Sequence, residues 1–182
     1  MELPVVPLHQ NKKYLTQCCK LINDEWKRSE TARMHSLESS SDNLPTNLIL
    51  LRNETVIGHL KLSPIPSIKD ACFVESVVIE RELRGKGFGT LLMTKAEDYC
   101  KNCLQLKTIY LSTKGQEGFY NKLGYTECQP ISIYGSYTST TSTIKYKDKN
   151  KCNNNEQAVP KPPPMPINSI HITKKIYMKK DL

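Results

Sequence analysis

The sequence predicts an α/β (α+β) domain of three layers, a single sheet with helices packed on its faces. Three observations predict it. Segments with helical spacing interleave with short, apolar, β-branched runs rather than segregating into blocks. The chain has 182 residues, enough for one hydrophobic core and too few for two. An apolar fraction of 38% is low for a wholly globular chain, and a polar stretch beyond about residue 138 accounts for the deficit.

The elements follow in order. Residues 3–8 (LPVVPL) are short, β-branched and flanked by proline, as edge strands are. Residues 11–26 predict a helix, with Tyr14, Leu15, Cys18, Leu21, Ile22 and Trp26 spaced by threes and fours. A second helix over 29–37 takes Ser29 as its N-cap, and the Ser, Asp, Asn and Pro that follow make a loop. Strands over 47–52 and 55–63 form a hairpin through Asn53 and Glu54; Pro64 and Pro66 are expected to end the second. A third long strand over 71–80 leads through a loop, 81–85, to a helix over 87–102 with Leu91, Leu92, Ala96 and Tyr99 on one face. An apolar strand, 107–112, precedes a short helix, 116–123, closed by Gly124 at a position that favours positive φ. Residues 125–134 resume β character, and 169–178 alternate as a last strand. Between them, 137–166 is of low complexity: Ser and Thr, then Lys and Asn, then a proline run. The whole of 1–182 therefore reads as one domain with that segment as a loop inserted before the last strand.

Charge and cysteine content narrow the function. The net charge is +8, of which +6 lies beyond residue 142. The basic residues there are scattered through Pro and Asn without aromatics, which argues against a nucleic-acid surface. No apolar run approaches a membrane span, and MELPVVPLHQNKKY lacks a basic segment leading into an apolar one. Seven cysteines, an odd number, in a chain too large to need staples point to reduced thiols and a cytosolic or nuclear protein, with a cytoplasmic location expected. Cys100-x-x-Cys103 has no second pair, so no metal site is expected. His59, inside a strand, reads as structural, and no Ser-His-Asp arrangement is suggested.

The most specific feature is the run from Val77 to Thr90, a strand, a loop and a helix start. Gly85, Gly87 and Gly89 leave backbone N–H groups free to close around an anion; the helix terminus adds partial positive charge, and Arg84 and Lys86 add full charges. The pattern suits a pyrophosphate. It is neither GxxxxGK[ST] nor GxGxxG.

Arg84-Gly85-Lys86-Gly87-Phe88-Gly89 resembles the R/Q-x-x-G-x-G/A coenzyme A loop of the GNAT-type N-acetyltransferases. Gly118 to Tyr125 (GFYNKLGY) is similar to that family's F-Y-x-K-L-G-F/Y element. The resemblance implies a GNAT fold: a central, mixed, mostly antiparallel seven-stranded sheet, splayed between its fourth and fifth strands and flanked by about four helices. It implies acetyl-CoA as cosubstrate, held by Val77, Val78, Ile79, Arg84, Gly85, Lys86, Gly87, Phe88, Gly89, Thr90, Gln116 and Asn121. Backbone N–H groups of Val77 to Ile79 would face the thioester carbonyl, exposed by a β-bulge. Tyr120 takes the family's tyrosine position as acid for the leaving thiolate; the alternative is an ordinary amphipathic core tyrosine.

Other roles start from residue type. Glu75 is an acid inside the apolar strand FVESVVI, a costly placement unless it is solvated or functional, and is a candidate base or amine-positioning group; an exposed strand face is the alternative. Arg28, Arg33 and His35 surround the first helix–helix junction, which in the family overhangs the peptide groove. Guanidiniums there suit carboxylates, whereas a solvated basic turn is the bland reading. Trp26, Met34 and Ser36 are candidates to line the same groove, and Ser112 and Thr113 to hold the substrate backbone. The segments LINDEW, RSETARMHSL and SSD resemble the branch of the family that acts on actin's acidic N-terminus, as does a proline-rich segment before the last strand. The expected activity is therefore acetylation of the α-amine of acidic protein N-termini, processed actin's above all. The alternatives are acetylation of a small amine or of lysine, and a non-enzymatic module in which VPKPPPMPI, as polyproline II, docks profilin or an SH3-type partner.

Overall fold

In the computed structural model, residues 3–134 and 175–182 are described. They build seven strands, β1 (Val5–Pro7), β2 (Thr46–Arg52), β3 (Thr55–Ile65), β4 (Ile68–Ile79), β5 (Thr108–Thr113), β6 (Thr126–Cys128) and β7 (Ile176–Asp181). Four helices accompany them, α1 (Leu15–Glu25), α2 (Glu30–Glu38), α3 (Phe88–Asn102) and α4 (Glu117–Lys122). The strands form one sheet in the order β1-β2-β3-β4-β5-β7-β6. Every neighbouring pair is antiparallel except β4 and β5, which α3 connects in parallel. This is the mixed, mostly antiparallel seven-stranded architecture the sequence and the resemblance imply.

Strand alternation sorts the core into two faces. Leu48, Leu50, Leu60, Leu62 and Leu111 turn toward Leu92, Met93, Ala96 and Cys100 of α3. Ile49, Leu51 and Val78 turn the other way, onto Cys18, Cys19 and Ile22 of α1 and Leu37 of α2. Six of the seven residues of β2 are buried because helices cover both of its faces. The hairpin turn at Asn53 and Glu54 has positive φ at both positions, 49° and 59°, the geometry that matches the strands' twist. Ser29 caps α2, its hydroxyl accepting from the Ala32 N–H.

Several boundaries differ from the sequence expectation, each for a physical reason. The first strand is only β1, because the chain turns into a 3₁₀ turn at Leu8–Gln10. A second 3₁₀ turn, Lys12–Tyr14, precedes α1, so the helix starts later than residue 11. Pro64 does not end β3. Pairing of β3 with β2 stops at Leu62, so one side of Pro64 has no neighbour to which an N–H is owed. The strand runs on to Ile65, the turn falls at Pro66 and Ser67, and β4 begins at Ile68. The β character expected over 125–134 contracts to β6. The last strand, expected over 169–178, is described as β7 and runs past residue 178 to Asp181 because it pairs with the full length of β5, Thr113↔Ile176 to Thr108↔Asp181; residues 169–174 lie outside the described residues. The proline-rich segment expected at 137–166 lies outside the described residues.

His59 faces α1 and α2 and is wholly buried, as a structural histidine would be. Its Nε2 lies 2.9 Å from Asn47 Oδ1, and Asn47 Nδ2 donates to the Leu37 carbonyl, so the amide oxygen faces the ring and the ring nitrogen donates. Burial first, then the Arg33 and Lys61 charges, hold its pKa down to about 3 from 6.5. The unfolded chain binds a proton there that the folded chain refuses, so stability is present above pH 6.5 and is lost as pH falls toward 3. Between pH 6.5 and 5 this residue is expected to remove up to about 1.4 kcal/mol per pH unit. Urea unfolding at pH 7 and 5.5 measures the slope, which His59→Gln should flatten.

Candidate active site

Two irregularities in β4 make the site. Pairing of β4 with β5 runs only from Ala71↔Thr108 to Val74↔Leu111, so beyond Val74 the two strands part. On the other edge, Lys61 pairs with Ser76 and Leu62 with Val74, which leaves Glu75 as the extra residue of a β-bulge. A bulge bends its strand and disrupts the ladder, so the opening begins where Glu75 sits. The amides of Val77, Val78 and Ile79 follow it. Successive peptide groups of a strand point to opposite edges, so these three do not all face the opening. Their side chains also alternate: Val78 packs under α1, whereas Val77 and Ile79 pack under α3.

β4 leads through a 3₁₀ turn, Arg81–Leu83, to Gly85 and Gly87 with φ of 74° and 84°. Nothing lies within 4 Å of a Cβ placed on either glycine; their role is the left-handed backbone. Among the described residues, the N–H groups of residues 85–90 have no hydrogen-bond acceptor, while the Leu91 N–H is the first to close on α3, at the Gly87 carbonyl. Consecutive unpaired amides at a helix start make an anion cradle, and a pyrophosphate fits it. Gly89 serves packing instead: its Cβ position lies 3.4 Å from the Phe119 ring on α4. Phe88 turns its side chain into the core, so only its amide belongs to the cradle. Thr90, Gln116 and Asn121 are exposed.

The charges of the loop are partly committed. Arg84 donates from Nε to the Ile79 carbonyl at 2.9 Å and from Nη2 to Glu25 at 2.8 Å. Arg81 also reaches Glu25, at 3.4 Å, and Lys86 donates to the Glu82 carbonyl. Glu25 is held below the usual carboxylate range, first by the Arg84 hydrogen bond. Glu25 was not legible as a site residue, since nothing in the sequence relates α1 to a loop nearly sixty positions later.

Tyr120 stands on α4, its ring edge-on to Phe119 and Tyr125 at 5.0 and 5.9 Å. Burial pushes its hydroxyl up to about 12, so the phenol is protonated at neutral pH. It makes no hydrogen bond among the described residues and packs on the α3 side of the sheet.

Glu75 lies on the opposite side. It accepts from the Ser63 hydroxyl and, at 3.4 Å, from Lys61 Nζ, and its side chain keeps 29% of its accessible surface. It opens onto a groove of about 480 Å³ with Phe73, Ser112, Tyr134, Lys175 and Tyr177. Ser63, Lys61 and Lys175 were missed. A signal existed for the first two: His59, Lys61 and Ser63 share one strand face, and Lys61 is a charge inside an apolar run.

The structure separates some residues that the sequence grouped. Ser112 lines the groove, but its neighbour Thr113 turns to the Leu111 face and is buried, because adjacent strand residues point oppositely. Arg33 donates from Nε to Asn23 Oδ1 at 3.0 Å and from Nη2 to the Trp26 carbonyl at 2.8 Å, tying α2 to the end of α1. Burial first, and then the Arg28 charge, lower its pKa. His35, two positions on, takes another face of α2 and is exposed, so it does not join Arg33. Met34 packs into the core under α2 rather than lining the groove. Arg28 and Trp26 are exposed, and Ser36 is half-buried with its carbonyl accepting from Ser39.

Comparison with known proteins agrees with this geometry. Residues 13–125 match the acetyltransferase (GNAT) family. The chain is 34% identical over 147 residues to mouse N-alpha-acetyltransferase 80, covering 76% of this chain and 46% of that protein; the chain thus spans about half the length of this curated relative. Among solved structures, PaiA N-acetyltransferase of Thermoplasma acidophilum, in complex with coenzyme A, superposes with a TM-score of 0.63 at 14% identity, covering 100% of each chain. The spermidine/spermine N-acetyltransferase SpeG of Vibrio cholerae does so with a TM-score of 0.57 at 21% identity over 70% of this chain and 82% of that one. At such identities the structural likeness speaks for the fold, and the family match covers more than half of the sequence. With a splay at β4 and β5, a bulge beside it and an amide cradle at the start of α3, the chain belongs to the GNAT acetyltransferase family, whose acetyl donor is acetyl-CoA.

Proposed function

We propose that this chain transfers the acetyl group of acetyl-CoA to the α-amine of protein N-termini that begin with Asp or Glu, processed actin's above all, in the cytoplasm. The observation that carries the reading is the setting of Glu75: a groove carboxylate beside Lys61, with Lys175 on the same groove. Arg33 and Lys61 both bear on the buried His59 beneath. Such a groove favours a ligand that brings carboxylates of its own. The likeness to an N-alpha-acetyltransferase supports an α-amine as acceptor. A polyamine would meet like charge at Lys61 and Lys175.

When bound, acetyl-CoA supplies an activated acyl thioester. The residues present do the rest. Amides on the open edge of β4 polarise the carbonyl oxygen. An α-amine has a pKa of about 7.7–8.0, so only a weak base is needed; Glu75, oriented by Ser63 and Lys61, accepts its proton directly or through one water. Tyr120 holds a proton for the departing sulfur. The two groups lie on opposite faces of the sheet, beside strands that part beyond Val74. The proline run, outside the described residues, is proposed from its composition alone to dock profilin.

Specificity constants for peptides starting Asp-Asp-Asp, Glu-Glu-Glu and Ser, and for spermidine, test the reading. Acidic peptides are expected to lead. Lys175→Ala should lower the acidic-to-neutral ratio by up to about fivefold, the worth of an exposed ion pair, and added salt should lower it in the same direction. Arg33 is a poor choice for this test because it also anchors the Trp26 carbonyl. An unchanged ratio, or spermidine as the best acceptor, overturns the reading.

A further inference from the structure

The last turn of α1 touches both halves of the site. On one side, Glu25 receives Arg84 at 2.8 Å and Arg81 at 3.4 Å, and the Asp24 carbonyl receives Arg81 Nη2 at 3.1 Å. Those arginines flank the amide cradle. On the other side, Asn23 Oδ1 and the Trp26 carbonyl receive Arg33 at 3.0 and 2.8 Å, which fixes the start of α2. Four consecutive residues, Asn23 to Trp26, thus carry bonds to the loop before α3 and to the start of α2. Two of the four are charged: Asp24 pairs its carboxylate with Lys20, and Glu25 faces two guanidiniums with one carboxylate.

We infer that Glu25 is a positioning residue that couples occupation of the coenzyme A cradle to the order of the α1 end and of α2. A pyrophosphate in the cradle neutralises part of the positive charge there and fixes the loop backbone. Arg81 and Arg84 are then held at both ends, by the loop and by Glu25. Fixing them fixes Glu25, and through the helix turn it fixes the Trp26 carbonyl that Arg33 requires. An acceptor that rests on the junction of α1 and α2 then meets a segment whose ordering cost has already been met, which is positive coupling without a new contact. Removing the charge of Glu25 leaves each half-site present and cuts the link between them. The inference rests on the acetyl-CoA cradle of the family and on the described contacts; it does not depend on which amine is acetylated.

Hydrogen exchange with coenzyme A alone as the probe tests it. In the wild type, coenzyme A should slow exchange at the loop amides 85–91 and also at Trp26 and Arg33, whose N–H groups donate to Ile22 and Ser29. In Glu25→Gln the loop should still be protected while the effect at Trp26 and Arg33 disappears, with an unchanged melting temperature; Glu25→Asp should restore part of it. In a second arm, saturating coenzyme A should tighten binding of an acidic peptide about fivefold or more in the wild type and leave it unchanged in Glu25→Gln. Equal protection at Trp26 and Arg33 in wild type and Glu25→Gln overturns the inference, as does a wild type whose loop is protected while these two amides are not. If Glu25→Gln is poorly folded, Arg81→Gln, which removes the bonds to Glu25 and the Asp24 carbonyl and leaves Arg84 in place, weakens the same link from the loop side, with the same two outcomes. A wild type that shows the exchange effect but binds no acidic peptide leaves the coupling standing and overturns the proposed substrate instead.

Discussion

Replacing Gly87 with Glu is expected to weaken coenzyme A binding by a hundredfold or more while the fold survives. Two effects combine. Gly87 has φ of 84°, a conformation that costs an L-residue roughly 1–2 kcal/mol. The added carboxylate also enters a cradle of unpaired amides, against a ligand that is itself anionic; like charges about 4 Å apart repel by roughly 4 kcal/mol at the dielectric of a protein surface. A clash is not involved, since a Cβ there meets nothing within 4 Å. Gly87→Ala separates the two effects, because it carries the conformational cost without the charge and should lose about thirtyfold at most. Calorimetric titration with coenzyme A, alongside thermal melting, measures both. An unchanged affinity in folded Gly87→Glu would show that the cradle does not hold the pyrophosphate.

Turnover in Tyr120→Phe is expected to fall about 10²-fold or more at pH 7, as loss of a general acid typically does, with the KM for acetyl-CoA little changed. The ring contacts with Phe119 and Tyr125 survive the substitution. The hydroxyl has no hydrogen-bond partner among the described residues, so the melting temperature should hardly move. The defect should also depend on pH. A free thiol has a pKa of about 8.5, so as pH rises past it the sulfur leaves as thiolate with less need of a proton, and the gap between variant and wild type should narrow by pH 9. Burial holds Tyr120 near 12, so its own ionisation does not enter this range. Equal turnover of variant and wild type from pH 7 to 9 would assign Tyr120 to packing.

Much was legible in the sequence because it is local. Periodicity placed α1, α3 and the central strands, since those residues face one core. The run from Arg84 to Gly89 marked the cradle because a left-handed backbone demands glycine at Gly85 and Gly87. Glu75 stood out because a carboxylate inside an apolar strand needs a reason. What failed was non-local. The register of β7 against β5 fixed the last strand, and the end of β2 pairing allowed Pro64 into β3. Thr113 and His35 were assigned to the site by proximity in sequence, but strand and helix geometry turns each away from its neighbour. Lys61, Ser63, Lys175 and Glu25 enter the site only because a bulge at Glu75, a splay between β4 and β5, and the packing of α1 on the cofactor loop bring together positions far apart in the chain. Local sequence was enough to mark the candidate chemistry: an amide cradle, a carboxylate in a strand, a phenol on a short helix and a supply of cations. Which cations stand beside the carboxylate and the loop came from the folded chain. A side chain's partners are set by strand register and helix docking, and those are settled by burial across the whole core rather than by the residues on either side.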